Sequence, residues 1–282
     1  MKKIDKKIIQ MKKLDVLHCP KCGSTFTVEG KSLKCESGHS YDISKKGTVN
    51  FVLGYGEENY NMNMLEARER VIAYGFFNEI IKGVCEEIYA HYLASGKEGE
   101  TLRILDAGCG DGSHIEMIGR YFTDKGIDTE LIGVDLSKDG ISIAGRKDNE
   151  VLYFVADLAR LPFQEHTFDV IVNILSPVNY KDFRRVLKED GFCVKVIPDS
   201  GYLKELRRLY GMPEYKNHEI VAHLREHAKV RSERKIRAIE NVEAYADDLL
   251  LMTPMLWDRE ITDPGAKLTK ITIDVELFTF GF

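Results

Sequence analysis

Between residues 101 and 197, short apolar runs alternate with stretches of helical period. Thr101–Asp106 and Leu131–Asp135 are apolar runs that end in an acid, and Val151–Val155 is followed closely by Asp157. Phe168–Asn173 and Gly191–Ile197 complete the set, with helical spacing from Ser113, over Ser137–Arg146 and over Tyr180–Lys188. Buried strands separated by helices predict an α/β fold: a doubly wound, Rossmann-like parallel sheet with its ligand beyond the strand carboxyl ends. Upstream, Leu65, Val71, Ile72, Phe76, Ile80, Val84 and Ile88 recur at helical intervals, so residues 64–94 read as helical. Downstream, Val230–Arg237 predicts an exposed strand, Asn241–Leu251 a helix and Lys267–Phe280 a last, antiparallel strand. Near the start, Ser24–Leu33 is polar and β-branched around a Glu29-Gly30 turn, the pattern of a hairpin, and Tyr41–Phe51 reads as extended. The expected divisions are a basic extension (1–15), a small β module (16–55), a helical linker (56–100) and the main α/β domain (101–282).

Composition narrows the class. Over 282 residues, 44% are hydrophobic, 30% charged and only 7 are Pro, which excludes wholesale disorder and collagen-like structure. No run approaches the roughly 18 to 20 apolar residues that span a bilayer. MKKIDKKIIQMKKLD lacks the apolar stretch and small residues of a secretory signal, so a cytoplasmic location and no membrane partner are expected. In a reducing compartment the six cysteines are metal ligands or core residues rather than disulfides. The net charge of −5 conceals two basic islands: 11 Lys against 5 acids in residues 1–50, and 10 Lys/Arg against 6 acids in residues 201–240. Basic surfaces on an acidic body suit a polyanion held at chosen places; a solvated lysine tail is the alternative for residues 1–13.

Cys19, Cys22, Cys35 and His39 form C-x2-C-x12-C-x3-H. Two donors in a tight turn, a hairpin, then two more donors is how a short chain surrounds one tetrahedral ion, and thiolates with an imidazole favour structural zinc. His18 precedes Cys19 directly and is badly placed to compete. A redox C-x-x-C normally precedes a helix, which is not expected here. Lys45 and Lys46, beside the hairpin, are phosphate contacts or ordinary surface lysines.

The first strand runs into Ala-Gly-Cys-Gly-Asp-Gly112, so Gly108, Gly110 and Gly112 make G-x-G-x-G rather than the dinucleotide pattern. Asp106 precedes the loop, and Asp135 and Asp157 follow the next two strands, with Leu136 and Leu158 beside them. Three acids repel a pyrophosphate. They suit a ligand with an ammonium group, a sulfonium and a ribose diol, namely S-adenosylmethionine. Glycines admit the methionyl end, Asp135 takes the ribose hydroxyls and Asp157 the adenine amino group.

HCPKCGSTF and LKCESGHSYDISKKGTVNF, with ARERVIAYGFF, ILDAGCGDGSH, VADLARLPFQEHTFDVIVNILSP and LLLMTPMLW, resemble the zinc-containing 23S ribosomal RNA guanine-N1 methyltransferases over nearly the whole chain after residue 15. The resemblance implies methyl transfer from S-adenosylmethionine to N1 of one guanine in a 23S ribosomal RNA hairpin, with zinc on Cys19, Cys22, Cys35 and His39. It places Gly110 and Asp111 against the cofactor and Asp135 on the ribose. It puts Phe77 where the family has an aromatic beside the cofactor, and Tyr202 where the family has a histidine. A homodimer with two zinc modules around the RNA is also implied. Two stretches depart from the pattern: the extension 1–15, which reads as a basic arm or disordered tail, and NILSP, whose Asn173 replaces a larger basic residue.

Guanine N1 must lose its proton and leave its base pair before it can accept a methyl group. Asn173, Ser176 and Pro177, at the fourth strand's end, are candidates for the base-binding wall; Asn173 and Ser176 are also catalytic candidates and Asn173 a cofactor contact, though Asn173 equally suits capping that strand. Asp199 is a candidate proton acceptor or a turn residue, and Trp257 a stacking partner or a core residue. Cys109 reads as a packed loop residue, and Cys85 and Cys193 as core. Arg231, Arg234, Lys235 and Arg237 read as phosphate contacts flanking the cleft with the zinc hairpin, or as a charged sheet edge that discourages aggregation. A small-molecule methyltransferase and a catalytically silent RNA-binding protein are the competing readings.

Overall fold

A computed structural model describes residues 1–52, 62–97, 99–256 and 268–282. In chain order its elements are α1 (Lys3–Leu14), β1 (Phe26–Glu29), β2 (Ser32–Cys35), β3 (Ser40–Asp42), β4 (Val49–Asn50), α2 (Met62–Ala73), α3 (Asn78–Ala94), β5 (Leu102–Ala107), α4 (Ser113–Asp124), β6 (Thr129–Asp135), α5 (Lys138–Ala144) and β7 (Leu152–Val155). There follow β8 (Phe168–Ile174), α6 (Tyr180–Val186), β9 (Leu187–Pro198), α7 (Lys204–Leu209), α8 (His218–His227), β10 (Lys229–Asn241), α9 (Ala246–Met252) and β11 (Lys270–Gly281). The main sheet runs β10-β11-β9-β8-β5-β6-β7-β4, and β1-β2-β3 form a separate small sheet. The strands from β9 to β4 pair in parallel, whereas β11 lies antiparallel between β9 and β10.

The expected doubly wound sheet is present, with its ligand face beyond Ala107, Asp135, Val155 and Ile174. Apolar residues fill both faces. Val170, Val172, Val194 and Val196 share one core with α3, and Leu105, Ile132, Phe168 and Ile171 share the other with α1 and α6. Among the described residues no helix is long and apolar enough to cross a membrane.

Four expectations change. Residues 64–94 are helical except at 74–77, where a turn separates α2 from α3. Gly75, at φ 95°, breaks the run, and a Cβ there would meet the Asn78 side chain. The stretch is no linker either: Val71, Ile80, Val84 and Ile88 are buried in the main core. The helix expected over Asn241–Leu251 begins only at Ala246.

The extension 1–15 is not a disordered tail or a free basic arm. It is α1, and Ile4, Met11 and Leu14 bury one stripe against the sheet core. Lys7 is buried with them, its Nζ donating to Asn149 O at 2.7 Å and Val151 O at 2.9 Å, and burial lowers its pKa to about 8. Lys3 donates to Gly145 O at 2.8 Å. These lysines lay their stems over apolar surface while their ammonium groups close carbonyls of the α5–β7 connection.

The small sheet joins the same core through a file of rings. Phe26 meets Tyr41 at 5.6 Å, Tyr41 meets Phe51 at 5.0 Å, and Phe51 meets Phe154 of β7 at 5.6 Å. β4 then adds to the sheet edge beside β7.

Candidate metal centre and active site

The four predicted zinc donors converge, all within 4.8 Å of one another. Cys19 Sγ and Cys35 Sγ each lie 3.5 Å from His39 Nδ1, and Cys22 Sγ lies 3.6 Å from Cys35 Sγ. Zinc bond lengths of about 2.3 Å to sulfur and about 2.05 Å to nitrogen make the edges of a tetrahedron about 3.8 Å (S–S) and about 3.6 Å (S–N). The observed separations match those edges, so the donor set fits Zn2+. Two turns build it: Gly23 N donates to Cys19 O at 2.8 Å and Gly38 N to Cys35 O at 2.9 Å, with both glycines at positive φ. The C-x-x-C runs into this turn and strand β1, not a helix, which removes the redox alternative. His18 stands outside this cluster; its backbone N–H donates to Pro162 O at 3.0 Å, and its Nε2 is buried without a partner among the described residues.

The second site forms where β5, β6 and β7 end. Gly108 (φ 92°) and Gly110 (φ 55°) turn the chain after β5; any side chain at Gly108 would strike Ser176 Oγ. Gly110 N donates to Asp135 Oδ2 and Ser137 N to Asp135 Oδ1, both at 2.8 Å, which locks the two strand ends together. Asp106 is buried with neither carboxylate oxygen partnered among the described residues. Burial first, and then the charge of Asp135, push its pKa up to about 8. Asp111 and Asp135 are raised too, mainly by burial. An orphaned acid facing a glycine cradle fits the ammonium end of S-adenosylmethionine. Asp157 is exposed, and its Oδ1 accepts from Ala159 N at 2.9 Å. Phe77 is buried and meets the His114 ring of α4 edge-on at 4.8 Å. His114 is held neutral by burial, its pKa down to about 3.

A residue that the sequence reading passed over sits among these acids. Arg68 of α2 lies against the loop, and a Cβ on Gly110 would be 3.8 Å from its Cζ and Nη1. Its charge acts on Asp106, Asp111, Asp135, His114 and Tyr202, and its Nε is buried without a partner among the described residues. ARERVIAYGFF holds this arginine, but helical periodicity marks only the apolar positions of such a segment.

Several candidates from sequence take other roles. Asn173 is buried, its Nδ2 donating to Ala107 O at 2.7 Å and Pro177 O at 2.9 Å. Its Oδ1 accepts from Lys195 Nζ at 2.6 Å, and the same ammonium donates to Ser176 O at 2.8 Å. With its carboxamide so engaged, Asn173 is the strand-end cap rather than a contact to a base edge. Lys195, buried with its pKa lowered to about 8, supplies the cation beneath this loop. Asp199 is ion-paired with Lys235 at the sheet's far edge and accepts from Ser200 N at 2.6 Å, as a turn residue does. Ser176 and Pro177 border a groove of about 480 Å3 with Lys195, Tyr215 and His223. Trp257 lies outside the described residues.

The basic island does not share a cleft with the zinc turns. β10 and β4 are opposite edges of the sheet, seven strand spacings of about 4.8 Å apart, or about 34 Å. Arg234 pairs with Glu86 at 2.8 Å, Lys235 with Asp199, and Arg231 donates to Gly191 O at 2.9 Å. These cations stitch the edge strand to its own fold, while Arg237 is exposed. Lys46 likewise donates to Ser142 O at 2.9 Å, which leaves Lys45 as the exposed lysine of that turn.

Comparison with known proteins agrees with this division. A family model described as "RlmA, N-terminal" matches residues 17–52, and one described as "Methyltransferase domain" matches residues 104–191. The Bacillus subtilis protein named "Putative 23S rRNA (guanine-N(1)-)-methyltransferase YxjB" is 39% identical over 276 residues, covering 93% of this chain and 95% of its own. The 23S rRNA (guanine(748)-N(1))-methyltransferase of Streptomyces fradiae is 22% identical, covering 90% of each. Among solved structures, geranyl diphosphate C-methyltransferase from Streptomyces coelicolor A3(2), in complex with S-adenosyl-L-homocysteine, overlaps 71% of this chain and 75% of its own with TM-score 0.42 and 16% identity.

Proposed function

The chain belongs to the 23S rRNA (guanine-N(1)-)-methyltransferase family, and we propose that it transfers a methyl group from S-adenosylmethionine to N1 of one guanine in a hairpin of 23S ribosomal RNA. The observation that carries this reading is the union, in one core, of a closed Cys3His metal centre with an acid-ringed glycine loop. Methyl transfer to a small molecule needs only the second. The closed centre leaves no open coordination position for a substrate, so its role is to fold the module that meets RNA.

In this reading Gly108, Gly110, Asp111 and Gly112 cradle the methionyl end, and Asp106 faces its ammonium group. Asp135 takes the ribose hydroxyls and Asp157 the adenine amino group, with Leu136 and Leu158 flanking them; Phe77 and Tyr202 wall the pocket. Bound S-adenosylmethionine supplies an electrophilic methyl group on a sulfonium. The protein's share is orientation. The Asn173–Lys195 pair fixes the loop that carries Ser176 against Gly108, beside the pocket where the flipped guanine must meet the methyl group. Cytoplasmic action, and pairing of two chains around one hairpin, belong to the same proposal; sedimentation equilibrium measures the pairing.

The test is incorporation of tritiated methyl from S-adenosylmethionine into unmodified 23S ribosomal RNA, followed by reverse transcription. N1 methylation blocks Watson–Crick pairing, so one stop a base short of one guanine is expected. Cofactor binding without incorporation would overturn the RNA reading in favour of a small-molecule substrate or a silent RNA-binding protein.

A further inference from the structure

S-Adenosylmethionine ends in a zwitterion, and the acids of the loop serve only its positive half. Its carboxylate needs a cation or open N–H donors. Lys147 is near, but its Nζ is taken by Glu69 at 2.8 Å and Ser113 Oγ at 3.2 Å. Gly110 N is taken by Asp135. Arg68 is the cation left at the loop, with a guanidinium beside Gly110 and a buried, unpartnered Nε among the described residues. We propose that Arg68 of α2 forms the carboxylate subsite for the methionyl end of the cofactor, opposite Asp106. The inference rests on the cofactor reading above and not on the RNA substrate.

Calorimetric titration separates the possibilities, using S-adenosylmethionine and its decarboxylated analogue, which keeps the ammonium and sulfonium. Arg68→Gln is expected to weaken S-adenosylmethionine by about 10- to 100-fold while leaving the analogue's affinity unchanged, and Arg68→Lys to recover part of the loss. An equal loss for both ligands would overturn the subsite and make Arg68 a counter-ion for the acids. Wild-type protein that binds neither ligand would refute the cofactor reading itself. Wild-type protein that binds the cofactor but leaves RNA unmethylated would refute only the RNA reading.

A second, independent cluster lies on α8. His223, Glu226 and His227 occupy one exposed face at i, i+3 and i+4, each with a donor atom within 4.8 Å of the others. His223 Nδ1 and His227 Nδ1 lie 3.8 Å and 3.9 Å from Glu226 Oε2, and His227 Nδ1 also lies 3.0 Å from His223 O. The two imidazoles stand 4.1 Å apart, and Tyr180 stacks on His227 at 5.1 Å and meets His223 edge-on at 5.4 Å. Paired imidazoles one helical turn apart with a carboxylate between them form a chelate for a borderline divalent metal such as Zn2+. The structure assigns here a second, exchangeable metal site that keeps coordination positions open at the rim of the Ser176–Pro177 groove.

Calorimetric zinc titration of the zinc-loaded protein, which counts metal bound at equilibrium, tests it. A second equivalent is expected in wild type, lost in His223→Gln and in His227→Gln and retained in Cys35→Ser. Equal zinc uptake by wild type and His227→Gln would overturn the assignment.

Discussion

The metal centre and the cofactor pocket are both built from acidic or thiol side chains near glycine turns, yet they are assembled in opposite ways. The metal centre draws all its donors from residues 19–39, where two turns and one hairpin bring them within 4.8 Å. The pocket as proposed takes Asp106, Asp135 and Asp157 from successive strand ends, Arg68 from a helix upstream and its bordering loop from β8. A local site is stabilised by what it binds, since thiolates crowded together repel until a cation arrives. A site spread over strand ends is stabilised by the sheet beneath it, and can keep Asp106 buried without a partner. Metal removal therefore strikes the fold of the first region, whereas ligand removal leaves the second standing.

The largest expected effect sharpens that contrast. Structural zinc sites contribute apparent free energies of about 10–16 kcal/mol. Cys35→Ser is expected to abolish the zinc that survives dialysis and to weaken RNA binding with it, read by metal analysis and filter binding. Unchanged RNA affinity in zinc-free protein would detach the module from RNA recognition. Next comes the shared core. Met11 is 2% exposed beneath α1, so Met11→Ala is expected to cost about 2–5 kcal/mol in urea unfolding. A loss below about 0.5 kcal/mol, the range of surface substitutions, would return α1 to a loosely held arm.

The pocket should respond in affinity rather than in stability. Asp106→Asn removes the carboxyl that ionises against the cofactor's ammonium, and is expected to weaken S-adenosylmethionine by about 10- to 100-fold with little loss in melting temperature. A large drop in melting temperature would show that the acid supports the fold. The smallest effect is titration of the same group. The raised pKa of Asp106 means that the empty folded state holds a proton that the unfolded chain releases near pH 4. Its contribution to the stability of the empty protein therefore declines as pH rises from about 4 to about 8. The cofactor's ammonium favours the ionised form, so affinity should tighten by up to about tenfold per pH unit below pH 8, then level off. A flat profile between pH 6 and 8 would place the ammonium elsewhere.

Legibility in the sequence follows the same divide. The spacing of Cys19, Cys22, Cys35 and His39 was sufficient for the metal centre, because donors separated by turns and one hairpin meet with little help from the rest of the chain. The strand ends at Asp106, Asp135 and Asp157 were legible because buried strands show as apolar runs and the acids follow them. Asn173 was placed at the correct strand end but left with two roles. Lys195, which decides between them, lies on a different strand and makes its bond only across the β8–β9 register.

The N-terminal lysines misled for a related reason. In sequence they outweigh Ile4, Met11 and Leu14, yet Lys3 and Lys7 end their charges on carbonyls some 140 residues away, and only Lys2, Lys6, Lys12 and Lys13 are exposed. The basic strand is similar: ten cations against six acids in residues 201–240 suggested a polyanion, but Arg234 and Lys235 are spent on acids of α3 and the β9 end.

What the sequence determined by itself was the sheet, the metal donors and the acid-ringed loop, since each is written in periodicity or close spacing. What only the tertiary structure decided was which charges remain unspent. Arg68 at Gly110, Asp106 without a partner and Lys195 under Asn173 are relations between distant segments. Desolvation acts on a group only once the fold has set its neighbours.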